Sequence, residues 1–387
     1  MRVAPSRVDA VDVARGVALI GMMLAHLGPV WLDGDPPIGQ MVVGGRAAPL
    51  FAMLAGVALT LVHRRDPGGV GSVRATLARA LLLIALGLSL GSIDGMPVLI
   101  ILAFYGLLIV AALPFRQLPT AVLVPMTIFW TLVSGVVVVG LQVVQPPVDA
   151  GQAEVSEVAH PVALLGELLV FGAYPAVAWF SYVLVGLVVG RLDLRNLAVA
   201  WRLAAVGAGL LGTTTAAGWA LIRTEVVDDP YGLGWRMLFG GRYRRAEWND
   251  LLQVGEHTST PLNLVSAIGS ALLVIGLCAL AVRLPWSRLL LTPLRSAGAM
   301  TLTLYTVHVL WFWRIVEGSD EAGGPRLGSY GDWLLQVVVL CALAAAWQRW
   351  VGRGPLESVV RLLTVPRSAR RSRKNAPVDD RGVDSVG

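Results

Sequence analysis

The sequence predicts an all-α, polytopic membrane protein of about ten transmembrane helices with both termini cytoplasmic, and three observations carry that expectation. Of its 387 residues, 56% are hydrophobic and only 14% charged, with a mean hydropathy of +0.69, whereas soluble domains carry about 25% charged residues. Apolar runs of about 18 residues or more, the length that spans a bilayer, recur along the whole chain. Lys and Arg fall into alternate loops, as orientation in a membrane requires. A disulfide-rich scaffold is excluded, since the two cysteines, Cys278 and Cys341, both lie in apolar runs. The net charge of +6 and the pI near 9.8 orient spans rather than bind phosphate backbones, so no nucleic-acid partner is expected.

The first span, about 13–31, follows Arg2, Arg7, Asp9 and Asp12 and lacks an A-x-A-like site, so it reads as a span rather than a cleaved signal. The second, about 41–62, opens on GGRAAPLF, where paired glycines and Pro49 predict a bend. The third, about 79–93, is short and Gly-rich over 86–91 and reads as tilted or partly re-entrant. Two apolar spans follow at about 97–114 and 120–144. The sixth, about 168–190, contains Pro175, which predicts a kink; Trp179 and Tyr182 either line a site there or pack as core aromatics. The seventh and eighth fall at about 197–222 and 262–282, the ninth and tenth at about 297–316 and 332–351. An external segment of about 38 residues, 223–261, is long enough to be functional or disordered. The chain after Pro366 is polar and basic and reads as a disordered tail near anionic headgroups. The domain plan is therefore one transmembrane domain, 1–365, and a tail, 366–387. No internal repeat is evident, which disfavours an inverted-repeat transporter.

With the N-terminus inside, the cytoplasmic segments hold 23 of the 31 basic residues and 8 of the 25 acids. They include Arg64, Arg65, Arg74 and Arg79 together, and nine basic residues over 349–381. Inverting the topology would reverse every loop at once.

An ionisable group at membrane depth costs at least about 2.5–3.5 kcal/mol, so each one needs a partner or a task. Arg15 and His26 are eleven residues apart, about three helical turns, and share one face of the first span roughly 16 Å apart. Asp12 extends that stripe and Met22 falls within it. One reading has Arg15 snorkel to the headgroups and His26 bond a neighbouring carbonyl; the other has the face line a wet cavity. Arg46, in the bend of the second span, either snorkels outward or offers its donors to an anion. In the ninth span Thr301, Tyr305 and His308 form one polar stripe. His308 matches the depth of His26, and a neutral histidine there suits either general-base work or a structural hydrogen bond. His257, in the run EHTST before Pro261, stands where a helix N-terminus favours an anion, although Ser259 and Thr260 also read as simple caps. No GxxxxGK[ST], HExxH, CxxC or nucleophile elbow is present, and histidine spacing suggests no metal.

The opening RVDAVDVARG, followed by VALIGMMLAH, resembles the YeiB/DUF418 proteins and the heparan-α-glucosaminide N-acetyltransferase catalytic domain (DUF1624). The segments GRAAPLFAMLAGVAL, YPAVAWFSYVLVGLVVGRLDL, EHTSTPLNLVSAIGSALLVIGLC and PLRSAGAMTLTLYTVH fit the bacterial branch of that group, in order. The spacing of Arg15 and His26 is also similar to a signature of the acyltransferase-3 family. The resemblance implies an integral-membrane acyltransferase that moves an acyl group, with acetyl expected, from cytoplasmic acyl-CoA (acetyl-CoA) to a glycan or other envelope acceptor. It implies an acyl-transfer base or carrier role for His26, with Arg15 on an anionic part of the donor. Animal heparan acetyltransferases place a proposed catalytic histidine in the first external loop; here 32–40 reads LDGDPPIGQ and has none. His26, His308 or His257 must then act, with Arg46 stabilising developing charge and Arg15, Asp12, Tyr305 and His257 as candidate substrate contacts. The expected setting is the plasma or inner membrane, with lipids as neighbours. An exporter of an anionic small molecule or lipid, or a scaffold without chemistry, would use the same composition.

Overall fold

The computed structural model describes residues 9–29, 35–66, 69–145, 152–227, 234–239, 248–321 and 328–364. Among these residues every regular element is helical. The N-terminal half contains α1 (Asp9–Leu27), α2 (Ile38–Val43), α3 (Ala47–Arg65), α4 (Val70–Gly91), α5 (Leu102–Ala112), α6 (Thr120–Val144), α7 (Pro161–Gly166) and α8 (Ala176–Val189). The C-terminal half contains α9 (Leu197–Arg223), α10 (Pro261–Ala281), α11 (Ser287–Leu290), α12 (Thr292–Ala299), α13 (Thr301–Glu321), α14 (Tyr330–Trp350) and α15 (Pro355–Thr364). The chain is a helical membrane protein: among the described residues seven segments are long and apolar enough to cross a bilayer, and two bent pairs, each taken as one span, bring the number to nine.

Local chemistry sets the ends of these helices. Asp9 and Asp12 occupy the first turn of α1, where the helix dipole favours negative charge. Asn196 caps α9 by accepting from the Ala198 N–H, and Thr260 caps α10 by accepting from the Asn263 N–H. Pro261 follows at the first helical position of α10, where its missing N–H is no loss. Ser329 caps α14 in the same way.

Three segments depart from the sequence reading. The third span begins at Val70 rather than near 79, so Arg74 and Arg79 lie inside a 22-residue helix. The shortness expected of the third belongs to the fourth, where only the 11 residues of α5 are helical. The ninth breaks at Met300, with α12 and α13 bent by 88°. The predicted kink in the sixth is present as a 60° bend, through a π-helical turn at Glu167–Phe171 that runs up to Pro175. The bend foreseen in the second falls between α2 and α3, at Gly44–Arg46, with Gly45 at a φ of 61°. Residues 365–387, and 228–233 and 240–247 of the external segment, lie outside the described residues; the described part of that segment includes two short 3₁₀ turns, Gly234–Leu238 and Trp248–Leu252. Helix α15 has no counterpart in the sequence reading.

Small residues let the backbones meet, which is how helices pack without a hydrophobic drive in lipid. A Cβ at Gly298 of α12 would collide with the Asp12 carbonyl of α1, and one at Gly16 with the Leu294 carbonyl. Gly56 and Gly186 do the same for α3 on α8. Helix α1 thus sits at the centre, touching α3, α10, α12, α13 and α14. That position is what gives its polar stripe partners.

Candidate functional site

The stripe on α1 meets two others. His26 Nδ1 lies 2.8 Å from His308 Nε2 on α13, and His308 Nδ1 lies 2.5 Å from Gln336 Oε1 on α14. The two imidazole planes are 4° apart with centroids 5.1 Å apart. That separation equals the N···N distance plus the two ring radii, so the rings meet edge to edge in one plane rather than face to face. Phe312 packs nearly parallel to both, at 14° and 11°. His308 and Gln336 are buried, while His26 keeps partial exposure.

The Gln336 amide is placed with its oxygen towards His308 and its Nε2 buried without a hydrogen-bond partner among the described residues. In that placement the oxygen accepts, so His308 Nδ1 carries a proton and donates it to Gln336; the opposite placement of the amide would reverse the chain. His308 Nε2 is then an acceptor, and His26 Nδ1–H donates to it. The lone pair of His26 Nε2 is left available, and that nitrogen makes no hydrogen bond among the described residues. The Trp333 indole, donating to the Ile20 carbonyl at 3.2 Å, ties α14 to α1 next to the chain.

Towards the start of α1 the same face opens into a cavity of about 60 Å³. Arg15, Arg79, Tyr105, Thr301 and Tyr305 supply its polar lining, and Met22, between Arg15 and His26 on α1, supplies part of its wall. Arg15 pairs with Asp12 at 3.2 Å. Arg79 projects from the middle of α4 and makes no hydrogen bond or ion pair among the described residues. Two guanidinium groups on one cavity, one of them unneutralised at membrane depth, mark it as a place for an anion.

Two predicted residues stand elsewhere. Arg46 turns back onto its own chain, donating to the Met41 and Val42 carbonyls at 2.8 and 3.2 Å, and lines a separate cavity of about 20 Å³ with Glu256. His257 packs among aromatics, its centroid 5.6 Å from Tyr174 and 6.4 Å from Trp179. It adopts a φ of 58°, and Ser259 one of 56°, so the loop before α10 is strained. Thr260 is the cap, and Ser259 is not. Arg15, paired with Asp12, and Tyr305 therefore share the cavity, His26 and His308 meet further along α1, and Arg46 and His257 stand apart from both.

Sequence reasoning missed Gln336 and Arg79. Gln336 was a visible signal, a lone amide in an apolar span that had to be satisfied. Arg79 was hidden by the late start assigned to its helix.

Residues 230–367 match the model of a family described as protein of unknown function (DUF418). The match supports the YeiB/DUF418 resemblance and includes His308 and Gln336. No curated protein matches the chain.

Proposed function

We propose from the site itself that the chain is an integral-membrane acyltransferase; the DUF418 model that residues 230–367 match leaves the activity open. It moves an acyl group, acetyl in the simplest case, from cytoplasmic acyl-CoA to a glycan or other envelope acceptor across the plasma membrane. The observation that carries this reading is the His26–His308–Gln336 chain, built from three helices and ending on an available imidazole nitrogen. Such a nitrogen serves as a general base, because an imidazole with its other nitrogen already donating is held in the reactive tautomer.

His26 Nε2 takes the proton from an acceptor hydroxyl or amine as that oxygen or nitrogen attacks the thioester carbonyl. The carbon–sulfur bond breaks, and the CoA thiolate recovers the proton from His26. In between, positive charge spreads along the chain, since the Nδ1 proton of His26 is shared with His308. Arg15 and Arg79 hold the phosphates of CoA, roughly 16 Å along α1 from His26. That separates the end that binds the donor from the end that reacts, with Met22 between them. With the N-terminus cytoplasmic, as the Lys and Arg distribution expects, the arginine cavity faces the side where acyl-CoA is made.

The test is release of CoA from acetyl-CoA by purified protein given envelope extract, followed with a thiol-reactive dye. The wild type is expected to release CoA and His26→Ala to lose that release. Flux of an intact anion across vesicles, with no thioester cleavage, would favour an exporter using the same stripe.

A further inference from the structure

Helix α15 is joined to α13 by a reciprocal cap. The Glu357 carboxylate accepts from the Leu302 N–H at 2.9 Å, the Thr303 N–H at 3.2 Å and the Thr303 hydroxyl at 2.6 Å. In return the Thr303 oxygen accepts from the Leu356 N–H, in the first turn of α15, at 3.1 Å. Each helix N-terminus is thus satisfied by a side chain of the other.

The α13 N-terminus is also the rim of the arginine cavity, for Thr301 and Leu302 line it. Positive helix dipole, Arg15 and Arg79 converge there. Helix α15 packs against α4, the helix that carries Arg79. A carboxylate on backbone N–H groups at the rim of a cavity lined by two guanidinium groups occupies the position that one phosphate oxygen pair would take. On the far side of α15, Val359, Leu362 and Leu363 expose their side chains at 39%, 60% and 59%. That row at i, i+3 and i+4 is an apolar edge suited to the bilayer interface, so α15 has somewhere to go when Glu357 lets go. Gly352, at a φ of 101°, lies in the turn that joins it to α14.

We propose that α15 is a latch on the arginine cavity: Glu357 holds the anion position at the α13 N-terminus, and a phosphate-bearing ligand binds by displacing it. The latch rests on the reading of that cavity as the donor site. Its chemistry is that of a phosphoryl anion, which either CoA or a phospholipid headgroup supplies.

The test uses the full-length protein in zwitterionic nanodiscs and three probes: CoA, inorganic pyrophosphate, and nanodiscs enriched in phosphatidic acid. Glu357→Gln keeps an oxygen acceptor for the cap but removes the charge. It is expected to bind CoA and pyrophosphate about tenfold more tightly than the wild type, because the competing form is depopulated. In the wild type, which needs no variant to fold, CoA is expected to speed amide hydrogen exchange over 355–364. A lipid occupant would instead give that speeding with phosphatidic acid and weaken CoA binding. If CoA binds both forms equally and α15 exchange is unchanged, the latch is wrong and the donor reading stands. If pyrophosphate binds Glu357→Gln more tightly but CoA binds neither, the latch stands and the acyl-CoA reading falls. Binding of no phosphate probe to either form overturns both.

Discussion

At the scale of single residues the account rests on groups that have no reason to sit in a membrane unless they meet. His26 and His308 act as one unit in it, so their effects should not add. We expect His26→Ala, His308→Ala and the double variant each to lower CoA release by about 10²–10⁴-fold, with the double no worse than the poorer single. Independent losses that multiply would refute a shared role. Arg79 has a different signature. Arg79→Gln should raise the KM for acetyl-CoA about tenfold or more while changing kcat little, since it removes a charge-assisted contact of roughly 1.5–3 kcal/mol to the donor. A fall in kcat with an unchanged KM would place Arg79 in the chemistry instead. Much of this was legible in the sequence. The spacing of Arg15 and His26, and the matching depth of His308, pointed at a common layer before any contact was known. What the spacing could not supply was azimuth: a helix read alone does not say which neighbour its polar face meets. That is why Gln336 went unrecognised and why Arg46, which satisfies itself on the Met41 and Val42 carbonyls, looked equally promising.

At the scale of elements, the position of α1 depends on contacts made by glycines. Gly298 and Gly16 allow α12 to lie backbone to backbone on α1. Gly298→Leu should force the pair apart and destabilise the protein by about 1–3 kcal/mol or more, the usual cost of overpacking. Thermal melts in detergent check this, and an unchanged midpoint would mean the pair can separate without cost. Apolar runs revealed where helices lie, but they revealed breaks less well. The 60° bend before α8 was foreseen because Pro175 announces it. The 88° bend at Met300 has no proline or glycine at the break itself, and it arises where the α13 N-terminus is satisfied by Glu357 from a helix distant in sequence. Composition likewise put the shortness in α4, from its glycines. The extended stretch before α5 accounts for the short helix one segment later.

At the scale of the whole molecule, the helices fix membrane residence and the Lys and Arg pattern proposes an orientation. In a background of Cys278→Ala and Cys341→Ala, a membrane-impermeant maleimide should label Ser156→Cys on intact cells and Asp193→Cys only after permeabilisation. Both positions are exposed, so the reverse pattern would mean an inverted chain. The orientation matters because it gives the two ends of the α1 stripe different tasks, donor binding on one side and acceptor chemistry toward the other. The most direct measurement is made on sealed inside-out vesicles containing the purified protein, with radiolabelled acetyl-CoA outside and envelope acceptors within. The account predicts that label reaches the acceptors in step with free CoA appearing outside, and that His26→Ala and His308→Ala abolish both. Acetyl-CoA or another anion crossing intact, or transfer undiminished in the two variants, would contradict it.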